Sequence, residues 1–459
     1  MATFPSAPVK PDPIASISSD IVDAPVDHLF RQQSGRLVAA LTRMLGPQHL
    51  EIAEDSVQDA LLQAVRLWPY QSIPANPAGW LWQVARSRAL DRLRRNTILR
   101  DKVMPRLTTE QDLEASDIPL PETLREDELR DDSLRLVFTC CQPMLDQEDQ
   151  IALTLKTVCG LGTGEIARAL LVSEPAIAKR LVRARQRLRD ARPPFEVPRG
   201  EALTGRLQIV LQVLYLLFNE GYNASGGEQL IRRELCQEAI RLCRLVVEHP
   251  ATNLSAVHGL LALMLFQASR FDARLDACDD ILPLSEQDRG RWDGAMIQEA
   301  LYHCATACAA GFQDEYTLQA AIAGCHCVAP SDEETAWPTI LTLYDRLLGL
   351  EPTPVVALNR VVAFARVHGA QAGLIELERI PNAKRLETYY LYHVIRADLL
   401  CRTGRPDRAV AACQRALDLT DVPSEQRFLT RRLEAVSGSS DPFKKNCPAP
   451  VLAEIARPS

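Results

Sequence analysis

A run of cationic side chains between residues 179 and 189 has the spacing needed to contact a nucleic acid. Apolar residues recur through the same stretch at Ile177, Leu181, Ala184 and Leu188, a period that predicts one buried face of a helix. The opposite face is then basic, and guanidinium and ammonium groups bind phosphates and the edges of bases. The cations of this face are Lys179, Arg180, Arg183, Arg185, Arg187 and Arg189.

The residues before this helix predict the other half of a helix-turn-helix. A glycine-rich opening at residues 160–164 leads into a short amphipathic segment, and Ser173 and Pro175 suit the cap and first turn of a second helix. In this motif the N-terminal residues of the second helix enter the major groove. The residues predicted to lie nearest the base edges are Ser173, Glu174, Ala176, Lys179, Arg180 and Arg183. The alternative interpretation is a solvated basic face on an ordinary pair of helices.

A second basic helix is predicted at residues 79–95, with tryptophans at its start and arginines along its length. Aromatic rings stack on unpaired bases while guanidinium groups follow the phosphates, so this pattern is typical of a surface that holds single-stranded DNA. The residues predicted to take part are Trp80, Trp82, Arg86, Arg88, Arg92, Arg94 and Arg95. Either tryptophan alone is equally well explained as a core anchor.

Acidic residues occupy the early turns of the helix predicted at His49–Trp68. Carboxylates near a helix N-terminus are stabilised by the helix dipole, which is one explanation of the pattern. The other explanation is an acidic docking surface for a basic partner. The polar residues predicted to be exposed there are Glu51, Glu54, Asp55, Gln58 and Asp59.

Length and composition limit the fold and the compartment. The chain has 459 residues, enough for about three domains, and its 47% apolar and 5% aromatic content without alternating strand patterns predicts an all-α protein. A formal charge of −7 argues against a general polyanion binder, so nucleic-acid contact must come from local basic patches. Thirteen scattered cysteines indicate reduced thiols. The sequence shows neither a signal peptide nor an apolar run long enough to span a bilayer, so we expect a soluble, cytoplasmic protein.

Proline, charge and repeat patterns divide the chain into segments. Small residues at Ala397, Gly404, Ala409 and Ala416 have the spacing of a tetratricopeptide-like (TPR-like) unit, which predicts an α-solenoid with a concave groove. The predicted order is a disordered arm at 1–25, a helical module at 26–97, an acidic linker at 98–130, a helix-turn-helix module at 131–192, a TPR-like repeat region at 195–437 and a tail at 438–459.

Several other patterns are better explained as structure than as sites. The glycine-rich stretch 219–227 lacks the lysine of a phosphate loop, so a turn is preferred to an anion or peptide site. Cysteines and histidines at 303–308 and 325–327 lack the paired Cys-x-x-Cys spacing of a metal site, and Cys140-Cys141 is predicted to be buried. No catalytic residue, metal or cofactor is therefore assigned.

The order of these modules resembles bacterial sigma factors of the sigma-70 type, extracytoplasmic-function subfamily. The resemblance covers about 27–192 and rests on Ala53–Asp59 for the docking helix of region two, Trp80–Arg95 for its melting helix and Gly164–Arg189 for region four. The remainder is similar to a group of these factors with a C-terminal TPR-like extension. That group often has histidine after its cysteine pair, where this chain has Gln142. The stretches that carry this second similarity are Thr139–Pro143, Leu217–Gly227, Gln287–Asp293 and Tyr389–His393.

The resemblance implies a division of labour among the modules. Region two binds core RNA polymerase through Asp55, Gln58 and Asp59, and Trp80–Arg95 opens the downstream promoter box, while Ser173–Arg183 reads the upstream box. The implied partners are core RNA polymerase and promoter DNA, together with a protein or peptide partner of the solenoid, which regulates activity. The alternative is a stand-alone helix-turn-helix regulator whose solenoid senses a ligand or peptide. Neither function makes the protein an enzyme.

Overall fold

The computed structural model describes residues 20–103, 126–170, 172–222, 231–276, 280–311, 314–381, 383–420 and 423–438. Most of the predicted N-terminal arm, the middle of the acidic linker, the stretch 223–230 and the tail beyond 438 lie outside these ranges.

The described residues are helical nearly throughout, and the only β pairing among them is an isolated bridge between Leu275 and Ile281. The prediction of an all-α protein is confirmed. The α-helices are α1 Asp20–Leu45, α2 Leu50–Gln71, α3 Pro77–Val103, α4 Glu126–Cys140, α5 Gln147–Thr157, α6 Thr163–Ala169, α7 Glu174–Ala191, α8 Glu201–Tyr222, α9 Arg233–Glu248, α10 Ser255–Ala268, α11 Gly294–Ala309, α12 Glu315–Val328, α13 Trp337–Leu350, α14 Pro354–His368, α15 Ala370–Glu378, α16 Tyr390–Arg402, α17 Pro406–Leu417 and α18 Pro423–Gly438.

The chain divides into two compact units, residues 1–213 and 214–459, so that α8 contributes to both. In unit 1 the predicted region-two and region-four modules pack against each other. Gly35 in α1 lies so close to the end of α5 that a Cβ at this position would be 2.1 Å from the Val158 carbonyl oxygen. A side chain there would push the two modules apart.

Several boundaries differ from those predicted. Helix α1 begins at Asp20, inside the predicted arm 1–25, and α2 continues past Pro69 to Gln71, because a proline in the last turn removes only one hydrogen bond. The helical period of Val57, Leu61, Ala64 and Val65 would place all four on one buried stripe, but Val65 is 52% exposed. The buried residues of α2 are Leu50, Ala53, Glu54, Ser56, Val57, Ala60, Ala64 and Trp68.

Unit 2 is built from helices that pack against their neighbours in sequence. In the helix pair predicted from the repeat pattern, Ala397 of α16 and Ala409 and Ala416 of α17 are completely buried. Gly404 between the helices has φ +72°, a left-handed conformation that side chains disfavour. The helix pair is confirmed, because small residues allow the two helices to approach closely. Its likeness to a TPR unit stays a prediction.

Helix α8 is long and apolar enough to cross a bilayer by length and composition, and it is the one helix of the described residues that passes this test. Half of its apolar window is buried inside the protein. Val210, Val213, Leu217 and Phe218 are all completely buried. These side chains are core residues, which accounts for the apolar composition of the helix.

Candidate nucleic-acid interface

Helices α6 and α7 form the predicted helix-turn-helix. The backbone N–H of Gly162 donates to Glu165 Oε2 at 2.6 Å, which satisfies one of the free donors at the start of α6. Ser173 occupies the predicted N-cap position of α7, although its side chain makes no capping hydrogen bond. The buried residues of α7 are Ile177, Leu181, Ala184 and Leu188, as the sequence period predicted. The remaining faces of α7 therefore stay available for ionic contacts.

One flank of α7 is paired with the acidic start of α5. Arg183 Nη2 lies 3.1 Å from Asp149 Oδ1, and Arg187 Nη1 lies 3.0 Å from Asp146 Oδ2. Arg180 forms an ion pair with Glu148. The side chain of Arg183 is nevertheless 57% exposed, so its guanidinium keeps donors that face solvent.

Helix α3 carries the predicted melting surface, and the structure separates its two tryptophans. Trp82 is 3% exposed and lies in the core, so its ring is closed to a stacking base in this structure. Trp80 is half-buried and meets Trp68 edge-on, with ring centroids 5.6 Å apart. Of the two aromatic residues predicted to stack on bases, only Trp80 has an accessible ring.

The arginines of α3 differ in how firmly they are held. Arg92 donates to Asp55 Oδ2 at 2.6 Å and to Asp59 Oδ2 at 2.8 Å. Arg88 donates to Gln63 at 3.1 Å. Among the other predicted arginines, Arg86 is half-buried, whereas Arg94 and Arg95 are exposed. Arg94 lies 3.8 Å from Asp91. At residues 94 and 95 the surface of α3 is therefore basic and open to solvent.

Comparison with known families agrees with this geometry. Residues 29–98 match the sigma-70 region 2 family, and residues 135–188 match sigma-70, region 4. Residues 206–308 match a family of unknown function, DUF6596. The chain is a member of the sigma-70 family, an extracytoplasmic-function-like sigma factor with a C-terminal extension. Its role lies in transcription initiation, with core RNA polymerase and promoter DNA as the partners that the two sigma-70 domains imply.

This sigma factor is also similar to an uncharacterized protein of Rhizobium meliloti (strain 1021). The two are 39% identical over 404 residues, which cover 87% of this chain and 94% of the relative. The similarity therefore includes the C-terminal extension as well as the sigma-70 domains. No solved structure matches the chain.

Region two and region four of this sigma factor are joined by a buried carboxylate. Glu54 was predicted to be exposed on α2, but it is 7% exposed. It accepts hydrogen bonds from Thr157 Oγ1 at 2.6 Å and from Arg185 Nε at 2.8 Å. Arg189, one turn further along α7, pairs with Glu51 at the surface. The sequence pattern missed this connection because Glu54 and Arg185 are 131 residues apart.

The predicted polymerase-binding residues of α2 are more exposed than Glu54. Gln58 is exposed, while the side chains of Asp55 and Asp59 are 48% and 32% exposed and both bind Arg92. The structure thus brings the predicted docking and melting residues together through one arginine. Neither carboxylate is buried, so both can still meet a basic partner.

Three exposed residues on the side of α7 away from its buried face were not among the residues predicted from the sequence to contact DNA. Val182 is 65% exposed, and Ala178 and Gln186 are exposed beside it. Lys179 lies on the same face and has no ion pair among the described residues. A signal was present in the sequence, because Val182 breaks the apolar period of the buried face and interrupts the basic run.

Two residues in the polar stretches of unit 2, Tyr222 and Arg289, make contacts inside the protein. Tyr222 is fully buried at the end of α8, where the Arg274 guanidinium lies 3.7 Å from its ring centroid. The rest of the glycine-rich stretch, 223–227, lies outside the described residues. Arg289 donates to the carbonyl of Ala329 at 2.8 Å and to that of His326, which makes it an interhelical contact.

The cysteines have the environment of packed thiols. Burial raises the pKa of Cys141 to about 12, and Cys140 beside it is also completely buried. In unit 2, Cys304 and Cys308 have their sulfurs 4.0 Å apart, and burial raises the pKa of Cys304 to about 12. Thiols with raised pKa values are poor nucleophiles at neutral pH. No set of three or more metal-ligating side chains is placed to hold a metal within the described part of the chain.

Proposed function

We propose that this sigma factor binds core RNA polymerase through Asp55, Gln58 and Asp59, opens the downstream promoter element with α3 and reads the upstream element with α7. The chain acts in the cytoplasm as a specificity subunit and forms no covalent bond itself. The observation that carries the proposal is the helix-turn-helix with a solvent-facing second helix, in the same unit as α3, whose arginines Arg88, Arg94 and Arg95 are exposed. The base-reading residues are those predicted, Ser173, Glu174, Ala176, Lys179, Arg180 and Arg183.

The decisive experiment combines association with activity. The purified chain is mixed with core RNA polymerase, recovered by affinity pull-down and assayed by run-off transcription on genomic fragments. We expect a complex and at least one specific transcript. A stand-alone regulator would bind a DNA fragment without joining the polymerase, and that result would reject the proposed function.

The docking residues are tested in the same assay. Asp55→Asn and Asp59→Asn remove the charges proposed to meet a basic polymerase surface, and we expect weaker association with core polymerase and less transcript. Glu201→Gln is the control, because it removes a charge from the exposed start of α8. Equal association of all three variants would show that α2 does not dock.

We further propose that the C-terminal helical-repeat region regulates the activity of the sigma domains through a protein or peptide partner. The support is the separation of the chain into two units, each with its own core. A protease site inserted between residues 222 and 231 tests this in the full chain. Cleavage there leaves α8, of which residues 201–213 belong to unit 1, attached to the sigma domains. We expect cleavage to change run-off transcription. Identical transcription before and after cleavage would reject the regulatory role.

A further inference from the structure

The outward ridge of α7 combines a lone cation with an apolar surface. On a helix, residues four apart lie on the same side, so Ala178, Val182 and Gln186 form one ridge with Lys179 beside it. All four are exposed, and Val182 at 65% is the most exposed valine among the residues of unit 1 whose burial the structure describes. What sets Val182 apart from an ordinary exposed valine is its place on the outward side of the second helix of a helix-turn-helix.

The arginines of α7 lie to either side of this ridge. Arg180, Arg183 and Arg187 turn toward the carboxylates of α5, while Arg185 and Arg189 turn toward those of α2. When such a helix lies in the major groove, its central ridge faces the bases directly, and long cationic side chains on its flanks reach phosphates or the edges of bases. The central ridge here offers methyl groups.

The base feature that matches an aliphatic side chain in the major groove is the 5-methyl group of thymine. Cytosine lacks this methyl group, and adenine and guanine present hydrogen-bonding groups at their major-groove edges, so only thymine offers Val182 an apolar partner of this size. We infer that Val182, supported by Ala178, reads the methyl group of a thymine in the upstream promoter element. This inference rests on the proposed function of α7 and adds the chemical group that is recognised.

The test removes the 5-methyl group of a thymine from the DNA side of the contact and the two γ-methyl groups of Val182 from the protein side. A holoenzyme of the full chain and core polymerase selects duplexes from a pool that is randomised over about one helical turn. Each thymine of the selected element is then replaced singly by deoxyuridine, which lacks only the methyl group. Binding is measured for the wild-type chain and for Val182→Ala.

We expect one thymine at which deoxyuridine weakens wild-type binding by about fourfold, the effect of one buried methyl group. The same replacement should cost Val182→Ala less than about 1.5-fold, because the contact is already lost. If no thymine shows this sensitivity, or if Val182→Ala keeps the full deoxyuridine penalty, the inference is overturned.

Val65→Ala is the matched control. Val65 is a valine of α2 with 52% exposure, outside the helix-turn-helix, so its replacement should leave the deoxyuridine penalty at the wild-type value. A holoenzyme that selects no DNA at all would reject the proposed function together with this inference. A holoenzyme that selects DNA without a methyl-dependent contact at Val182 would reject this inference alone.

Discussion

The arginines of α7 in unit 1 and three arginines of unit 2 are used in opposite ways. The arginines of α7 have side chains between 16% and 57% exposed, and apart from the Arg185–Glu54 pair each of their ion pairs has at least one member that is 40% exposed or more. In unit 2, Arg270, Arg274 and Arg432 are 3%, 1% and 2% exposed and bind groups of the interior. Surface pairs contribute little to stability and exchange readily with another anion, whereas a buried guanidinium cannot leave its partner without a large penalty. Burial, and not residue type, therefore separates an arginine that can release its partner from one that cannot.

The largest effect should come from breaking a buried pair in unit 2. Arg432 Nη2 lies 3.1 Å from Asp398 Oδ1, with side chains 1% and 2% exposed. Arg432→Met should lower the free energy of unfolding of unit 2 by about 3 to 5 kcal/mol, because it leaves a buried carboxylate without its main partner. Urea unfolding of the full chain measures this change.

Arg402 provides the control for that prediction. It lies 3.6 Å from the other oxygen of Asp398 and is 34% exposed, so Arg402→Met should cost less than about 1 kcal/mol. Equal losses in the two variants would show that burial does not separate the roles of these arginines.

Glu54 and Glu51 allow the same comparison of buried and exposed pairs within unit 1. Glu54 is a buried partner of an α7 arginine, whereas Glu51 pairs with another α7 arginine at the surface. Glu54→Ala leaves Arg185 and the Thr157 hydroxyl without their acceptor and should lower the free energy of unfolding of unit 1 by about 2 to 4 kcal/mol. Glu51→Ala breaks only the surface pair with Arg189 and should cost less than about 1 kcal/mol. Chemical unfolding followed by tryptophan fluorescence compares them, and a larger loss for Glu51→Ala would contradict the assignment of Glu54 as the connecting group.

Replacing Arg183 should weaken promoter binding more than it lowers the stability of unit 1. Arg183→Ala should weaken promoter binding by about 1 to 3 kcal/mol if its exposed guanidinium pairs with a guanine. The free energy of unfolding should fall less than it does for Arg432→Met, because the Arg183 side chain is 57% exposed and Arg187 remains 3.9 Å from Asp149. Fluorescence anisotropy with the selected duplex measures the first quantity. An unchanged base preference would argue that Arg183 does not enter the groove.

The burial of His326 near three arginines of unit 2 predicts that the stability of the protein depends on pH. Burial and then the nearby Arg270, Arg289 and Arg366 lower the pKa of His326 to about 3. In the unfolded chain the imidazole titrates near 6.5, so the unfolded state binds more protons between these values. Stability from this residue is complete above about pH 6.5 and is lost as the pH falls, by about 1.4 kcal/mol at pH 5.5. Thermal unfolding of wild type and His326→Gln between pH 7.5 and 5.5 measures the difference, and parallel profiles would refute the prediction.

The sequence predicted the local structure of the interface well. Helix α7, its cap position and its buried face follow from residue types three and four apart along one helix, so no distant contact was needed to find them. The same holds for the helix pair around Gly404. Boundaries were less predictable, because the early start of α1 and the passage of α2 through Pro69 depend on what each helix packs against.

What the sequence determined by itself is therefore the set of helices, the basic character of α3 and α7 and the resemblance that identified the family. Only the tertiary structure decided which charged groups are free. It buried Glu54 between two modules, tied Arg92 to the predicted docking residues, placed Trp82 in the core and left Val182 at the surface. The physical reason is that helical periodicity is encoded by neighbours in sequence, whereas burial and charge pairing are set by helices that meet from distant parts of the chain.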